Sequence, residues 1–167
     1  MRYVRTDSLP EEARDALFGW SKDPFQSKAS GIAWRPKDHH ITMYDGDRAV
    51  SHVGLVRAAV SVGGTPLEVG GLGQVVTVPE FQGRGLARKC IVEAVRVLVD
   101  EWKLNYGMLF CFSRLKPFYE DLGWRARTGP VWVQQPQGRV MFPVFSMVEQ
   151  WGGNWPPGDI EISGFPW

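Results

Sequence analysis

The run Val75-Val76-Thr77-Val78-Pro79-Glu80-Phe81-Gln82-Gly83-Arg84-Gly85-Leu86-Ala87 constrains this chain most. It reads as the end of a strand, a stop at Pro79, and a turn on Gly83 and Gly85 into a helix. After the turn Leu86, Cys90, Ile91, Ala94, Val95, Leu98 and Trp102 recur at three- and four-residue spacing, with Arg88, Lys89, Glu93, Arg96 and Asp100 largely opposite. Such a helix entry presents unpaired N–H groups and a partial positive charge, and glycines without Cβ atoms let phosphate oxygens approach. A diphosphate suits that geometry, with Arg84, Arg88 or Lys89 assisting. The P-loop lysine followed by Ser/Thr and the dinucleotide G-x-G-x-x-G spacing are both missing.

Any phosphate must be held by such local geometry, because Lys plus Arg total 19, Asp plus Glu total 18, and the net charge is +1. That balance gives no long-range pull toward nucleic acid or an anionic membrane. With 167 residues, 44% of them hydrophobic and 13% aromatic, a single domain spanning 1–167 can bury its own core. Cys90 and Cys111 sit in apolar runs without metal or redox spacing, so buried, inert thiols and no metal are expected. The polar start lacks a signal-peptide core, and no apolar run is long enough to cross a bilayer, which predicts a cytoplasmic, soluble protein.

Along the chain, Arg2 to Thr6 reads as a strand, and Ser8 with Glu11 as a capping box opening a helix through Ala13, Leu17 and Trp20. Residues 21 to 37 have no clear period and are expected to form a loop or short helical turns that line a substrate pocket. His40 to Tyr44, the turn Asp45-Gly46-Asp47 and Val50 to Val62 form a hairpin, and Leu67 to Val78 a further strand. Gly70, Gly71 and Gly73 in that strand suggest a bulge or a close backbone approach. Tyr106 to Phe112 is a buried-type strand, Pro117 to Leu122 a short helix stopped by Gly123, and Val131 to Gln135 with Met141 to Val148 a final hairpin. The order predicts an α+β fold with helices packed on the sheet.

Gln82-Gly83-Arg84-Gly85-Leu86-Ala87 resembles the Q/R-x-x-G-x-G/A signature of the GNAT superfamily of N-acetyltransferases. Phe118-Tyr119-Glu120-Asp121-Leu122-Gly123-Trp124 resembles that family's F-Y-x-x-L-G-F/W segment, in the expected order after the next strand. Together the two motifs cover roughly Leu72 to Trp124. The resemblance implies a mixed, mostly antiparallel central sheet flanked by helices. It also implies acetyl-CoA as cosubstrate, gripped by backbone groups of Val76, Thr77 and Val78 and by Gln82, Gly83, Arg84, Gly85, Leu86 and Ala87. Ser113, near where the thioester would sit, is expected to bond the cofactor or to cap the following helix.

Transfer of an acetyl group to an amine wants a base for the attacking nitrogen and an acid for the departing thiolate. Tyr119 matches the family's tyrosine and is the candidate acid, and Glu68 is the candidate base. None of His39, His40 and His52 is given a role; the first two read as surface and His52 as a satisfied strand residue. The tail Asn154-Trp155-Pro156-Pro157-Gly158-Asp159 looks like the ending of aminoglycoside 2'-N-acetyltransferases, and rhizobial nodulation N-acyltransferases have a similar tail. By that resemblance Asp159, Glu161 and a Trp167 carboxylate bind a cationic amine, while residues 149–167 form a strap packed on the sheet by its tryptophans. The acceptor is expected to be a small-molecule amine. A noncatalytic acyl-CoA-binding or sensing module and a protein N-acetyltransferase are the alternatives, and the resemblance leaves a homodimer open.

Overall fold

In the computed structural model, which describes residues 1–25 and 31–167, the chain forms one ten-stranded sheet with helices on both faces. In chain order the elements are β1 (Arg2–Thr6), α1 (Glu11–Phe18), β2 (His39–Asp45), β3 (Arg48–Val62), β4 (Thr65–Thr77), α2 (Leu86–Arg96) and β5 (Tyr106–Cys111). They continue with α3 (Lys116–Glu120), β6 (Arg125–Ala126), β7 (Val131–Gln135), β8 (Gly138–Met141), β9 (Phe145–Gln150) and β10 (Ile160–Ile162). The sheet runs β6-β9-β5-β4-β3-β10-β7-β8, with β2 and then β1 added beside the first half of β3. Only β4–β5 and β7–β10 are parallel; the other pairs are antiparallel. This is the mixed, mostly antiparallel α+β architecture the sequence predicts.

Strand alternation assigns the two faces. On β3, His52 meets Phe18 at the end of α1, with ring centroids 5.7 Å apart, whereas its neighbour Ser51 lies beside the Cys90 thiol of α2. Successive strand residues point oppositely, so α1 and α2 cover opposite faces of β3. Gly54, Val56, Gly71 and Gly73 share the α1 face, and Leu55 and Leu72 share the α2 face, through the pairs Gly54↔Gly73, Leu55↔Leu72 and Val56↔Gly71.

Several local expectations are corrected. Ser8 does not cap α1: the N-cap position is Pro10, without a side-chain cap, and its carbonyl accepts from the Arg14 amide at 2.9 Å. The helix ends at Phe18, and the Trp20 indole donates to the Leu17 carbonyl at 2.7 Å. Helix α2 gives way to a π-helical turn over Val97–Glu101, closed by the Trp102 amide on the Val97 carbonyl. The final hairpin is β7–β8, turning at Pro136-Gln137. Strand β9 instead pairs with β5 and β6, which the break at Pro143 allows. The tail is more than a strap, because β10 is built into the sheet between β3 and β7.

Candidate active site

The parallel pairing of β4 with β5 stops after Gly70↔Gly107, Gly71↔Met108 and Leu72↔Leu109, although β4 runs on to Thr77 and β5 to Cys111. The cause lies in β4. Its register against β3 shifts between His52 and Gly54, so that Gln74 and Val75 both fall opposite Val53, and Gln74 takes a left-handed φ of 51°. That bulge bends the strand and increases its local twist, and the two parallel strands part.

A cavity of about 360 Å³ fills the gap, and its lining comes from both faces of the sheet. On the α2 face stand Cys111 and Tyr119; on the α1 face stand Trp34, Lys37, Phe110 and Trp167. The main chain of residues 31–38 and the tail hold each other on that second face, with the Arg35 amide on the Pro166 carbonyl at 2.8 Å. The Gln135 side chain clasps Ala33 through both of its backbone groups. The described part of the expected pocket loop therefore does line the cavity; residues 26–30 lie outside the described residues.

Lys37 reaches the gap along a trough made by the cross-strand pair Gly54 and Gly73. A Cβ on Gly54 would collide with Lys37 Cγ, and one on Gly73 would stand 2.7 Å from Cε and 3.4 Å from Nζ. Burial, with a smaller contribution from the Arg35 charge, lowers the ammonium to about 8, while Asp38 acts weakly in the other direction. Arg35 itself is paired with Asp38 at 2.6 Å and donates to the Arg57 carbonyl. The main chain of Trp167 lies beside Gly73, and its indole ring packs on Gly71 and Val56.

Behind the bulge, His52 is fully buried and bridges two partners, with Nδ1 2.9 Å from the Gln74 carbonyl and Nε2 2.9 Å from His40 Nδ1. A carbonyl only accepts, so His52 Nδ1 carries the proton and donates; a neutral His52 then accepts at Nε2 from the Nδ1–H of His40. Burial depresses both imidazoles, His52 to about 3, which keeps them neutral. The strained bulge residue is thus held by a one-directional pair of hydrogen bonds.

The turn after β4 offers a second site. Gly83 (φ 74°) and Gly85 (φ 71°) are left-handed, Gly85 is the N-cap of α2, and nothing lies within 4 Å of a Cβ built on either. Within the turn, Gln82 Nε2 donates to the Thr77 carbonyl and Arg84 Nη2 to the Glu80 carbonyl. The backbone amides of residues 83 to 88 have no protein acceptor among the described residues, whereas the Lys89 amide already donates to the Gly85 carbonyl. Successive free N–H groups at a helix start form a concave anion cradle. Arg88, bridged to Asp121 at 3.7 Å, joins the start of α2 to the end of α3, so the cradle and Tyr119 share a face.

Tyr119 is 4% exposed, and its hydroxyl has no protein hydrogen-bond partner among the described residues. Burial, assisted by Cys111, raises the phenol well above its ordinary value, so it keeps its proton. Burial likewise raises the Cys111 and Cys90 thiols to about 11. Ser113 is exposed at the start of a 3₁₀ turn and caps neither that turn nor α3. The carbonyls of Val76 and Thr77 and the amide of Val78 are already bonded, to Ser51, Gln82 and Val50, so the part of β4 that lines the cavity is Leu72 to Val75.

Glu68 and Asp159 do not join these groups. Glu68 lies five residues before Gly73, about 16 Å along an extended strand, in an exposed ion pair with Arg57. Asp159 is exposed and accepts from the Trp132 indole at 3.3 Å, and Glu161 pairs with Arg139 on the surface. The residues sequence reasoning missed are Lys37, Trp34 and the His40–His52 pair. The only sequence signal for Lys37 was glycine at 54 and 73, which shows its purpose once the register is known.

Residues 9–127 match the family model for the acetyltransferase (GNAT) domain. This chain belongs to the GNAT acetyltransferases. Nodulation protein A from Bradyrhizobium elkanii is 27% identical over 101 residues, which are 60% of this chain and 45% of that relative, so the chain spans less than half of its length. The GNAT family N-acetyltransferase YhbS from Escherichia coli, solved in complex with CoA, superposes with a TM-score of 0.64 at 19% identity, covering 97% of this chain and 90% of that one. A GNAT family acetyltransferase from Brucella melitensis, solved with acetyl-CoA, gives a TM-score of 0.57 at 16% identity, over 95% and 94% of the two chains. At these identities the likeness shows a shared GNAT fold. Among the described residues there is no group of three or more metal-ligating side chains and no helix long and apolar enough to span a membrane.

Proposed function

We propose that this GNAT enzyme transfers the acetyl group of acetyl-CoA to a primary amine of a small molecule by direct attack on the thioester. The observation that carries the reading is the cavity through the β4–β5 gap, with an anion cradle and a buried, protonated tyrosine on one face. The free amides at residues 83 to 88 fit a pyrophosphate, since a side chain at Gly83 or Gly85 would enter the open space there. Acetyl-CoA, when bound, supplies an activated acyl carbon and a thiolate leaving group.

The residues of the chain then have distinct tasks. The cradle fixes the diphosphate, Leu72 to Val75 and Cys111 wall the gap, and the apolar α1 face excludes water from the acceptor. The amine nitrogen bonds to the acyl carbon as the C–S bond breaks; the Tyr119 phenol gives hydrogen-bond support or a proton to sulfur, and the ammonium proton leaves toward solvent through the α1 face. Cys111, a thiol lifted to about 11, stays protonated at neutral pH, which disfavours an acyl-cysteine intermediate. Glu68 is too far from the gap to take the amine proton directly. Calorimetric titration with acetyl-CoA and CoA tests the cosubstrate, and CoA release across an amine panel tests turnover. Micromolar binding with amine-dependent release is expected; binding without release from any amine would favour a sensing module, and no binding would refute the reading.

A further inference from the structure

Lys37 crosses the α1 face of the sheet toward the gap. Its Cβ, Cγ and Cδ atoms lie over Gly54 of β3, and its Cε and Nζ atoms over Gly73 of β4, 2.7 and 3.4 Å from where a Cβ there would stand. The sheet order is β5-β4-β3, so the stem runs across β3 and onto β4 in the direction of β5. Gly73 is the first residue of β4 past the last parallel pair, Leu72↔Leu109, which sets Nζ at the edge where the strands part. Tyr119 lines the same cavity from the opposite face, and Lys37 is the one lysine among the described residues that lines it. A side chain at either glycine would block this path. Together the two positions keep a primary amine where the nitrogen of an acceptor has to come. Burial acts against the Lys37 ammonium. The main-chain carboxyl carbon of Trp167 lies 3.3 Å from the same Gly73 position. A carboxyl partner there favours the ammonium but also accepts the proton that must leave before nitrogen attacks, so pairing does not take Lys37 out of the reaction.

We propose that Lys37 is itself an acetylation site: with acetyl-CoA bound and no acceptor on the α1 face, its Nζ takes the acetyl group within the same chain. This rests on the acetyl-transfer reading of the gap. The ammonium first gives up one proton to its surroundings. Nζ then bonds to the acyl carbon as the C–S bond breaks, and sulfur takes the Tyr119 proton. The proton that nitrogen sheds on becoming an amide returns to the phenol through solvent, leaving N-acetyllysine and CoA. No further reactant is needed. The modified side chain carries no charge and sets an acetamide on the acceptor side of the gap, while the cradle at residues 83 to 88 on the other face stays open. Self-acetylation thus closes the enzyme to acceptors without closing it to its cosubstrate.

The test incubates the whole chain with isotopically labelled acetyl-CoA and no acceptor. Intact-mass and peptide mass spectrometry read the acetyl occupancy of each lysine, counting the label together with any acetyl present beforehand. Held beside a bound thioester, Lys37 should be acetylated at least about tenfold faster than the exposed Lys22 and Lys103, at a rate per chain independent of protein concentration. Excess CoA should suppress acetylation of Lys37 and leave that of the two exposed lysines unchanged, and Gly85→Glu should bring Lys37 down to their rate. Lys37→Arg should lose the modification and keep the wild-type affinity for acetyl-CoA. The proposal is overturned if Lys37 is modified no faster than Lys22 and Lys103, if CoA fails to protect it, or if its rate per chain rises with protein concentration. Acetyl-CoA affinity, measured by calorimetry on the same preparation, separates the two failures: binding without acetylation of Lys37 overturns this inference alone, and no binding overturns the cosubstrate reading with it.

Discussion

Tyr119 and Gly85 bear the clearest single-residue consequences. Removing the phenol in Tyr119→Phe leaves the ring packed beside Phe118 but withdraws the only buried hydroxyl facing the gap from α3. Turnover should fall by about 10²-fold or more, with acetyl-CoA affinity within twofold, read from steady-state kinetics and calorimetry; unchanged turnover removes Tyr119 as the acid. Gly85→Glu forces an L side chain into left-handed backbone and sets a carboxylate into the cradle. Acetyl-CoA binding should be lost, and the left-handed strain alone should cost about 1–2 kcal/mol of stability, measurable by denaturant unfolding. Both residues were legible in the sequence, because a glycine turn and a short motif are local features. Lys37 was not, since its setting is created by two strands brought into register and lies 17 and 36 residues away in sequence.

At the scale of elements, the bulge in β4 is the working part. The strand's glycines hinted at an irregularity, yet the residue that takes positive φ is Gln74, and what holds it there is His52 from the neighbouring strand. In His52→Leu the Gln74 carbonyl and the His40 Nδ1–H lose their partner, with a penalty of about 1–3 kcal/mol for each group left buried and unsatisfied; chemical denaturation should show it, together with a raised KM as the gap loses definition. The pair also fixes a sign for pH. Imidazoles of the unfolded chain titrate near 6.5, whereas the folded values are depressed, His52 to about 3. Protons therefore favour the unfolded state in that window. The His52 contribution is fully present above pH 6.5 and is lost as pH falls toward 3, at up to about 1.4 kcal/mol per pH unit, and His40 acts in the same direction. Thermal melts should show this slope in the wild type and a flatter one in His52→Leu. Helix α2 and strand β5 were readable from their periodicity; the insertion of β9 beside β5 was not, because pairing partners are chosen across the sheet and not by adjacency in sequence.

Across the whole molecule, the tail turns from an appendage into structure. Its tryptophans announced burial, but a three-residue strand, Ile160–Ile162, carries no period by which it can be recognised, and only the unpaired edges of β3 and β7 define it. Deleting residues 160–167 removes that bridge and the indole packed on Gly71, so the truncated chain should melt at a markedly lower temperature and expose apolar surface to a dye such as ANS. Retention of the wild-type melting temperature would refute this account of the tail. The opening between β4 and β5 carries a consequence for kinetic order. With the cosubstrate proposed on the α2 face and the acceptor on the α1 face, neither occupant is expected to cross the path of the other, so both reactants should bind in either order. Product inhibition should then show a dead-end species in which CoA and an unreacted acceptor are bound at once, and each reactant should bind the free enzyme, a pattern of random rather than obligatory-order addition.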